Sequence, residues 1–319
     1  MCMLISPKLF SLTMTNYHNP VLLEACIAGL NIEPNGVYVD VTFGGGGHSR
    51  AILESLGESG RLIAFDQDED ALSNRIDDSR FTLVPANFKN LGAHLRFLNI
   101  RKIDGLLADF GVSSHQFDQA ERGFSTRFDA PLDMRMNQSM ERNARDIIAE
   151  FSAEELASLF RKYADLPNAY TLAKAIESAR TTGLIETTFD LIQSLESAIY
   201  APKRNQQLAQ VFQAIRIEVN KELEVIESLL MQLGKVMDPG ARAVFISYHS
   251  LEDRLVKNFI RSSRFEGEAE KDHFGNPNVD FKKVGGVQTP SERELLENTR
   301  SRSAKLRVAQ RIENKYRSI

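Results

Sequence analysis

Four consecutive glycines follow an apolar segment that carries an acidic residue. The segment is Asp40-Val-Thr-Phe-Gly44-Gly45-Gly46-Gly47-His48, and residues 37–41 are rich in β-formers. Glycines let a backbone approach a ligand closely, and a run of them costs conformational entropy unless something needs the room. A glycine-rich turn without a ligand is the alternative. We therefore expect a cofactor loop between a strand and a helix.

Two classes of cofactor compete for this loop. A dinucleotide site requires G-x-G-x-x-G or G-x-G-x-x-A, and the window that starts at Gly44 ends in Ser49 instead. A methyltransferase loop has an acid four residues before the first glycine and a second glycine two residues later. Asp40, Gly44 and Gly46 satisfy that spacing. The loop therefore favours S-adenosylmethionine over a dinucleotide.

Asp66 ends the second apolar run, at residues 61–66. A carboxylate at a strand end can accept hydrogen bonds from both hydroxyls of an adenosine ribose. NAD sites and S-adenosylmethionine sites share this arrangement, so Asp66 indicates a nucleoside cofactor without choosing one. A solvated acid is the alternative, because Asp68, Glu69 and Asp70 follow in the same loop.

Asp109 ends the fourth apolar run and begins the segment Asp109-Phe-Gly-Val-Ser-Ser-His-Gln116. Enzymes that methylate amines place an acid, Asn or Ser at this strand end, often before a Pro-Pro-aromatic motif, which is absent here. An exocyclic base nitrogen is a poor nucleophile because its lone pair is delocalised, and an acceptor for its N–H helps to localise that pair. Asp109 is therefore the candidate amine acceptor. It could also hold the methionine end of the cofactor, or be only a loop or N-cap acid.

Tyr248 and His249 follow the fifth predicted strand, at residues 241–247. An aromatic side chain and a histidine at a strand end can stack on a base, so we take both as candidates for positioning a nucleobase. Two structural residues at an ordinary helix start are the alternative, because Ser250 is followed by Glu252 and Asp253.

The carboxyl-terminal segment is basic although the chain has a net charge of -4. Between Arg300 and Ile319 there are seven Lys and Arg residues against one acid, Glu313. Such a segment is typical of phosphate contact, and a solvated face is the alternative. The candidate RNA-binding residues are those of this segment and of a smaller basic patch: Arg300, Arg302, Lys305, Arg307, Lys203 and Arg204.

The elements that must position these residues follow a βα rhythm. We predict strands at 37–41, 61–66, 81–85 and 103–109, with helices between them that include 68–76 and 88–98. Strands that alternate with helices predict a parallel sheet covered on both faces, with the ligand at the carboxyl ends of the strands. The sequence thus predicts an α/β fold.

The rhythm stops after Val112, and we predict a helical insertion domain at 116–209. Within it, Ser152 should cap a helix through a Ser-Ala-Glu-Glu capping box. The sheet domain should comprise 16–115 and 210–319, with 1–15 as a disordered extension. We further predict one long helix at 208–237, a mobile loop at 264–290 and a final strand at 302–312.

The composition narrows the class of protein. The two cysteines, Cys2 and Cys26, have neither metal-binding nor disulfide spacing, which is typical of a reduced cytoplasmic protein. No apolar run approaches the ~20 residues that a membrane span needs. We expect no membrane association and no metal, and the sequence is compatible with a homodimer.

Together these motifs resemble the small-subunit ribosomal RNA methyltransferase H family, also called MraW. The resemblance runs from about residue 16 to the end and rests on seven segments: His18-Asn-Pro-Val-Leu-Leu-Glu24, Asp40-Val-Thr-Phe-Gly-Gly-Gly-Gly-His-Ser49, Asp104-Gly-Leu-Leu-Ala-Asp-Phe-Gly-Val-Ser-Ser114, Glu121-Arg-Gly-Phe-Ser125, Pro131-Leu-Asp-Met-Arg-Met136, Phe212-Gln-Ala-Ile-Arg-Ile-Glu-Val-Asn220 and Ser247-Tyr-His-Ser-Leu-Glu-Asp-Arg254.

The resemblance implies a class I, Rossmann-like methyltransferase sheet with a helical insertion. It implies N4-methylation of a cytidine in the decoding centre of 16S ribosomal RNA, with S-adenosylmethionine as donor and 16S ribosomal RNA or the small ribosomal subunit as partner. The family's cofactor contacts carry over onto Gly46, Gly47, His48, Asp66, Phe88, Asp109 and Gln116. Three residues depart from the family pattern: Gly45 for a larger residue, Phe110 for an aliphatic one and Tyr248 for phenylalanine.

Three other functions compete with this one. A methyltransferase for small molecules would not need the basic segment. A nucleotide-binding oxidoreductase would need the glycine pattern that fails at Ser49. A binding protein without catalysis would keep the same motifs.

Overall fold

The structure is a computed structural model that describes residues 20–271 and 275–313. The predicted extension at 1–15 lies outside the described residues. In the described part of the chain, seven strands form one sheet in the order β3-β2-β1-β4-β5-β7-β6. The strands are β1 (Val37–Asp40), β2 (Arg61–Asp66), β3 (Phe81–Pro85), β4 (Ile103–Asp109), β5 (Met237–Ser247), β6 (Phe281–Gln288) and β7 (Lys305–Arg311).

The first five strands run parallel, as the βα rhythm predicts. Strand β7 then pairs antiparallel with β5, and β6 pairs antiparallel with β7. A seventh strand inserted antiparallel between the fifth and sixth is the topology of class I methyltransferases. The predicted fold class is confirmed.

Successive side chains of a strand point to opposite faces of the sheet. Both faces of this sheet are apolar, and helices cover both of them. Val39, Ile63 and Leu106 pack on one face, and their neighbours Tyr38, Leu62 and Leu107 pack on the other. The first face is covered by α4 (Leu91–Phe97), α11 (Glu222–Val236) and α12 (Ser250–Ser262), and the second by α1 (Leu23–Leu30) and α2 (Gly47–Ser55).

A separate apolar core is built almost entirely by the residues between β4 and α11. Its helices are α6 (Ala144–Glu150), α7 (Ala153–Ala164), α8 (Ala169–Thr182), α9 (Thr188–Leu195) and α10 (Arg204–Asn220). The predicted capping box starts α7, where the Ser152 hydroxyl accepts from the backbone N–H of Glu155. The remaining helices are α3 (Glu69–Leu72), α5 (Ser114–Asp118) and α13 (Glu292–Glu297).

Three predicted elements are wrong. The helix expected over 208–237 is two helices, α10 and α11, because Lys221 between them takes a left-handed conformation with φ of 51°. The helix expected at 68–76 is shortened to α3. The loop expected at 264–290 contains β6, an exposed edge strand whose lysines and glycines lack the alternation of a half-buried strand.

None of the described helices has the length and apolarity needed to cross a membrane.

Candidate functional site

The predicted functional acids lie at the carboxyl ends of adjacent parallel strands. Asp40 ends β1, Asp66 ends β2 and Asp109 ends β4, while Tyr248 follows the end of β5. These strands are neighbours in the order β2-β1-β4-β5, so their ends form one edge of the sheet. This is the edge at which ligands bind in such sheets.

Asp40 is fully buried and holds the glycine loop together. Its carboxylate accepts from the Ser49 hydroxyl at 2.7 Å and from the backbone N–H of Thr42 at 3.1 Å. Burial raises the pKa of Asp40, against the opposing influence of His48 and of these hydrogen bonds. Its contacts therefore lie within the loop and the first turn of α2.

Two glycines of the loop are required by geometry. Gly46 has a φ of +75°, a conformation that side chains rarely adopt, and it precedes the first residue of α2. At Gly47 a Cβ would lie 2.2 Å from the Cγ of Pro20, so only glycine fits there. The loop thus needs these glycines for its own path, and it leaves the backbone close to the edge of the sheet.

Asp66 is bound by backbone groups and still presents a carboxylate. Its Oδ2 accepts from the N–H of Gly44 at 2.7 Å, and its Oδ1 accepts from the N–H of Asp68 at 2.9 Å. Each carboxylate oxygen can accept more than one hydrogen bond, which leaves capacity for hydroxyl donors. Burial raises the pKa of Asp66 to about 6, so the group is mostly ionised at neutral pH.

Asp109 lies between Tyr248 and His48. The Tyr248 hydroxyl donates to Oδ1 at 2.8 Å, and Nδ1 of His48 lies 3.9 Å from Oδ2. Nε2 of His48 lies 3.0 Å from the carbonyl oxygen of Val21 and donates to it. Burial raises the pKa of Asp109 to about 6, although His48 and the Tyr248 hydrogen bond both lower it. The side chain is 22% exposed, so a substrate can still reach it.

Aromatic rings pack beside the end of β4. Phe110 stacks on Phe245 with ring centroids 6.1 Å apart, and the ring centroid of Phe88 lies 6.4 Å from that of Phe110. Phe88 is half-buried at the start of a short 3-10 helix. The phenylalanine at position 110 is thus accommodated by packing in the core of the sheet, while Phe88 keeps an exposed part.

Gln116 belongs to a buried cluster around Asp68. Its Nε2 donates to Oδ2 of Asp68 at 2.6 Å, and Arg122 donates to both oxygens of Asp68, at 3.2 and 2.9 Å. Arg122 also pairs with Asp70 and donates to the carbonyl oxygen of Met136. This cluster joins the end of β2 to the segment after β4.

Neither Asp68 nor Arg122 was predicted as a site residue. The available signal for Arg122 was its place in the motif Glu121-Arg-Gly-Phe-Ser125, and Asp68 looked like one of several loop acids.

The predicted base-positioning residues start α12 together with a buried acid, Glu252. Its Oε2 accepts from the backbone N–H groups of Tyr248 at 2.7 Å and His249 at 3.2 Å. Nε2 of His249 lies 3.1 Å from Oε1 of the same carboxylate. Burial would raise the pKa of Glu252, but His249, the Tyr248 N–H and Arg216 together lower it. Glu252 therefore fixes the backbone after β5.

Glu222, His249 and Glu252 place one potential metal-ligating atom each within 4.8 Å of one another. Both oxygens of Glu222 already accept from Arg216, at 2.8 and 2.9 Å. A cation would have to displace or repel that guanidinium. These contacts describe an ion-pair cluster that joins α10 and α11 to α12.

The candidate RNA-binding residues lie on different elements, and several of them are paired with acids. Arg204 pairs with Glu196 near the start of α10, far along the chain from the basic segment. Arg300 pairs with Asp118, and Arg307 pairs with Asp253 at 2.7 Å, so part of the positive charge is balanced within the fold. Lys315 and Arg317 lie outside the described residues.

Arg302 and Lys305 lie beside the edge of the sheet that the carboxyl ends of β2, β1, β4 and β5 form, which we call the functional edge. They line a cavity of about 250 Å³ that Tyr248 and His249 also line. Both basic side chains are exposed. This cavity places cations beside the residues predicted to position a base.

The residues at this edge fit S-adenosylmethionine. The glycine loop brings backbone close to the strand ends, Asp66 offers a carboxylate for ribose hydroxyls, and Asp109 offers a second carboxylate for a positively charged group. Cationic ammonium and sulfonium groups suit an edge with several acids. The donor and acceptor set therefore matches a nucleoside that carries positive charge.

Comparison with known proteins agrees with a methyltransferase site at this edge of the sheet. The family model described as the MraW methylase family matches residues 15–312. Ribosomal RNA small subunit methyltransferase H of Christiangramia forsetii is 56% identical over 299 residues, which cover 94% of this chain and 99% of that protein. The protein of the same name from Bacteroides fragilis strain YCH46 is 49% identical over 298 residues, covering 93% of this chain and 98% of that protein.

Among solved structures, an rRNA methylase from Streptococcus thermophilus aligns with a TM-score of 0.36 at 14% identity, covering 92% of this chain and 96% of that one. That likeness is low, whereas the family match and the relatives cover almost the whole chain. The chain belongs to the MraW methylase family and is an S-adenosylmethionine-dependent methyltransferase.

Proposed function

We propose that this protein methylates N4 of a cytidine in the decoding centre of 16S ribosomal RNA. The relatives that cover almost the whole chain are named for methylation of small-subunit ribosomal RNA. The observation that carries the amine assignment is Asp109, a partly exposed carboxylate at the end of β4, held by the Tyr248 hydroxyl at 2.8 Å. An acceptor at this place suits an N–H group that must lose a proton.

The chain's own residues are assigned two tasks, which are to position the reacting groups and to accept a proton. Bound S-adenosylmethionine supplies an electrophilic methyl group. Asp109 accepts a hydrogen bond from the N4 amine of cytosine, which helps to localise the nitrogen lone pair. Formation of the N–C bond would be matched by loss of the bond between the methyl carbon and sulfur, with S-adenosylhomocysteine as the leaving group. N4 then loses one proton to an acceptor, and Asp109 with a pKa of about 6 can take it and return it to solvent. Most of the rate enhancement then comes from positioning.

Other residues at the edge bind and orient. We assign cofactor contact to Gly44, Gly46, Gly47, His48, Asp66, Phe88, Asp109 and Gln116, with Asp40 shaping the loop from inside. Tyr248 and His249 position the cytosine, which must leave its stack to reach Asp109. Each assignment rests on the place of the residue at or beside the strand ends.

RNA is bound, in this proposal, by the helical insertion domain at 116–209 and by the basic residues beside the cavity, with the sheet domain at 16–115 and 210–319 holding the cofactor. Of the basic candidates, Arg302 and Lys305 have the strongest support because they are exposed beside Tyr248. The substrate is 16S ribosomal RNA or the small subunit in the cytoplasm.

The decisive experiment maps N4-methylcytidine in 16S ribosomal RNA from cells with and without this protein. We expect one decoding-centre cytidine to lose its N4-methyl group on deletion and to regain it with the wild-type gene but not with Asp109→Asn. An unchanged methylation map in the deletion strain would overturn the proposal. Transfer of labelled methyl groups by the purified protein to naked RNA and to small subunits then identifies the form of the substrate.

A further inference from the structure

A second groove lies between α12 and the β6–β7 hairpin. Its volume is about 380 Å³, and it is lined by residues of all three elements. Ile260 and Val308 contribute apolar surface, and four basic side chains surround it: Lys257, Arg261, Lys283 and Arg307. None of the described residues that line it is acidic. This concentration of positive charge contrasts with the net charge of -4 for the whole chain.

Most of this charge is available to a ligand. Lys257 and Arg261 are exposed and lie one turn apart on α12, so they occupy one face of the helix. Lys283 is exposed on β6, opposite Ala309 of β7. Arg307, by contrast, is held in an ion pair with Asp253 at 2.7 and 3.0 Å. The groove therefore presents cations from two sides.

One wall of the groove is formed by the edge strand β6 at a point where its pairing with β7 is irregular. The pairing of β6 with β7 shifts register between Val284 and Gln288. Within that bulge Gly285 has a φ of +66°, and a Cβ on Gly285 or Gly286 would meet nothing within 4 Å. The two glycines leave this part of the wall without side chains, so a bulky chain can pass close to the backbone there.

The groove is continuous with the functional edge through β7. Lys305 and Arg307 lie two residues apart on the same face of that strand, and both approach Asp253, at 3.9 and 2.7 Å. Lys305 lines the cavity beside Tyr248, while Arg307 lines the groove. Basic side chains thus run from the end of β5 to α12, and two of them, Lys305 and Arg307, share the acid Asp253.

We propose that this groove binds the phosphodiester backbone of the substrate RNA on one side of the target nucleotide. The inference rests on the proposed function, which supplies an RNA at the end of β5. Spaced cations on both walls match the repeated charges of a nucleic-acid backbone, and the apolar floor suits the faces of sugars or bases. The contact lies outside the helical insertion and the residues at 300–305.

The test removes the three exposed cations together, as Lys257→Ala, Arg261→Ala and Lys283→Ala in one variant. The matched control removes three exposed cations beside the opposite end of β4, as Arg96→Ala, Arg101→Ala and Lys102→Ala. Both variants lose the same charge. Binding of a labelled decoding-centre fragment of 16S RNA is measured over a range of salt concentrations, together with S-adenosylmethionine affinity and thermal unfolding.

We expect the groove variant to bind RNA at least about tenfold more weakly. The salt slope, which is the slope of log binding constant against log salt concentration, should fall in magnitude by about 2, near 0.7 for each lost phosphate contact. The control should keep the wild-type slope. S-adenosylmethionine affinity and methyl transfer at saturating RNA should stay near wild type in both, so the loss appears in KM rather than kcat. A single Lys283→Gln variant, which changes one exposed side chain, should lose about a third of the effect.

A groove variant with the wild-type slope would overturn the inference, and so would an equal loss in groove variant and control. Failure of the proposed function looks different, because the wild-type protein itself would then transfer no methyl group to the decoding-centre fragment.

Discussion

The Tyr248 hydroxyl donates a hydrogen bond of 2.8 Å to Oδ1 of Asp109, and this bond joins residues 139 positions apart in the chain. It links the ends of β4 and β5, the two strands between which the target amine is proposed to lie. Burial raises the pKa of the phenol well above its usual value, so Tyr248 remains a donor at working pH. The bond orients the Asp109 carboxylate and favours its ionised form.

Asp109→Asn keeps the shape of the side chain and one acceptor oxygen but removes the charge. We expect single-turnover methylation to fall by roughly 10²-fold or more, the range typical of a positioned proton acceptor. Affinity for S-adenosylmethionine should fall by much less. If Asp109 mainly holds the cofactor, affinity would fall and the rate would recover at saturating cofactor. A variant with both the wild-type rate and the wild-type cofactor affinity would show that Asp109 is not part of the site.

Tyr248→Phe should move the acidic limb of the pH–rate profile to higher pH. Methyl transfer needs ionised Asp109, so the wild-type rate should fall as the pH drops through about 6. Removing the donor disfavours the carboxylate, and a hydrogen bond to a charged group is worth about 1.5 kcal/mol, or about one pKa unit. The limb should therefore move towards about 7. A lower rate with an unmoved limb would mean that Tyr248 acts only on the base.

Asp66→Ala removes the carboxylate at the end of β2. We expect S-adenosylmethionine to bind more weakly by roughly 1.5–3 kcal/mol, the cost of losing a charged acceptor for hydroxyls. Calorimetric titration measures this directly. Glu69→Ala, which changes a nearby exposed acid, is the control and should bind the cofactor normally. Equal affinities for Asp66→Ala and wild type would place the ribose elsewhere.

Arg122→Met should destabilise the fold by about 3–5 kcal/mol, because it leaves Asp68 buried without its cation. Denaturant unfolding of the cofactor-free protein checks the value. Arg142→Met, which breaks an exposed pair with Glu150, should cost under about 1 kcal/mol. Adding Asp68→Asn to Arg122→Met should recover part of the loss, and no recovery would argue against a direct coupling.

The sheet and its acidic edge were predictable because each depends on local pattern. Short apolar runs that end in Asp40, Asp66 and Asp109 indicated both the strands and their carboxyl ends. The Ser152 cap was equally local. The fold class and the family therefore followed from residues near one another in the chain.

What escaped prediction depends on partners distant in sequence. Asp68 looked like a solvated acid because its partner Arg122 lies 54 residues away. Lys221 ends α10 in a left-handed conformation, and no glycine or proline in the sequence marks the break. Strand β6 is defined by its pairing with β7 rather than by its own composition.

The helical core that interrupts the sheet has a consequence for synthesis. Strand β4 ends at Asp109, but β5, its neighbour on the open side, begins only at Met237. At about 5–20 residues per second, β4 waits roughly ten seconds for that neighbour while α6–α10 leave the ribosome. The helical core is formed by residues from one almost continuous segment of the chain, so its side chains can be buried before β5 is made. Until then the unpaired edge of β4 can pair with a wrong strand. Slow folding of the helical core would therefore reduce the yield of protein with a complete sheet.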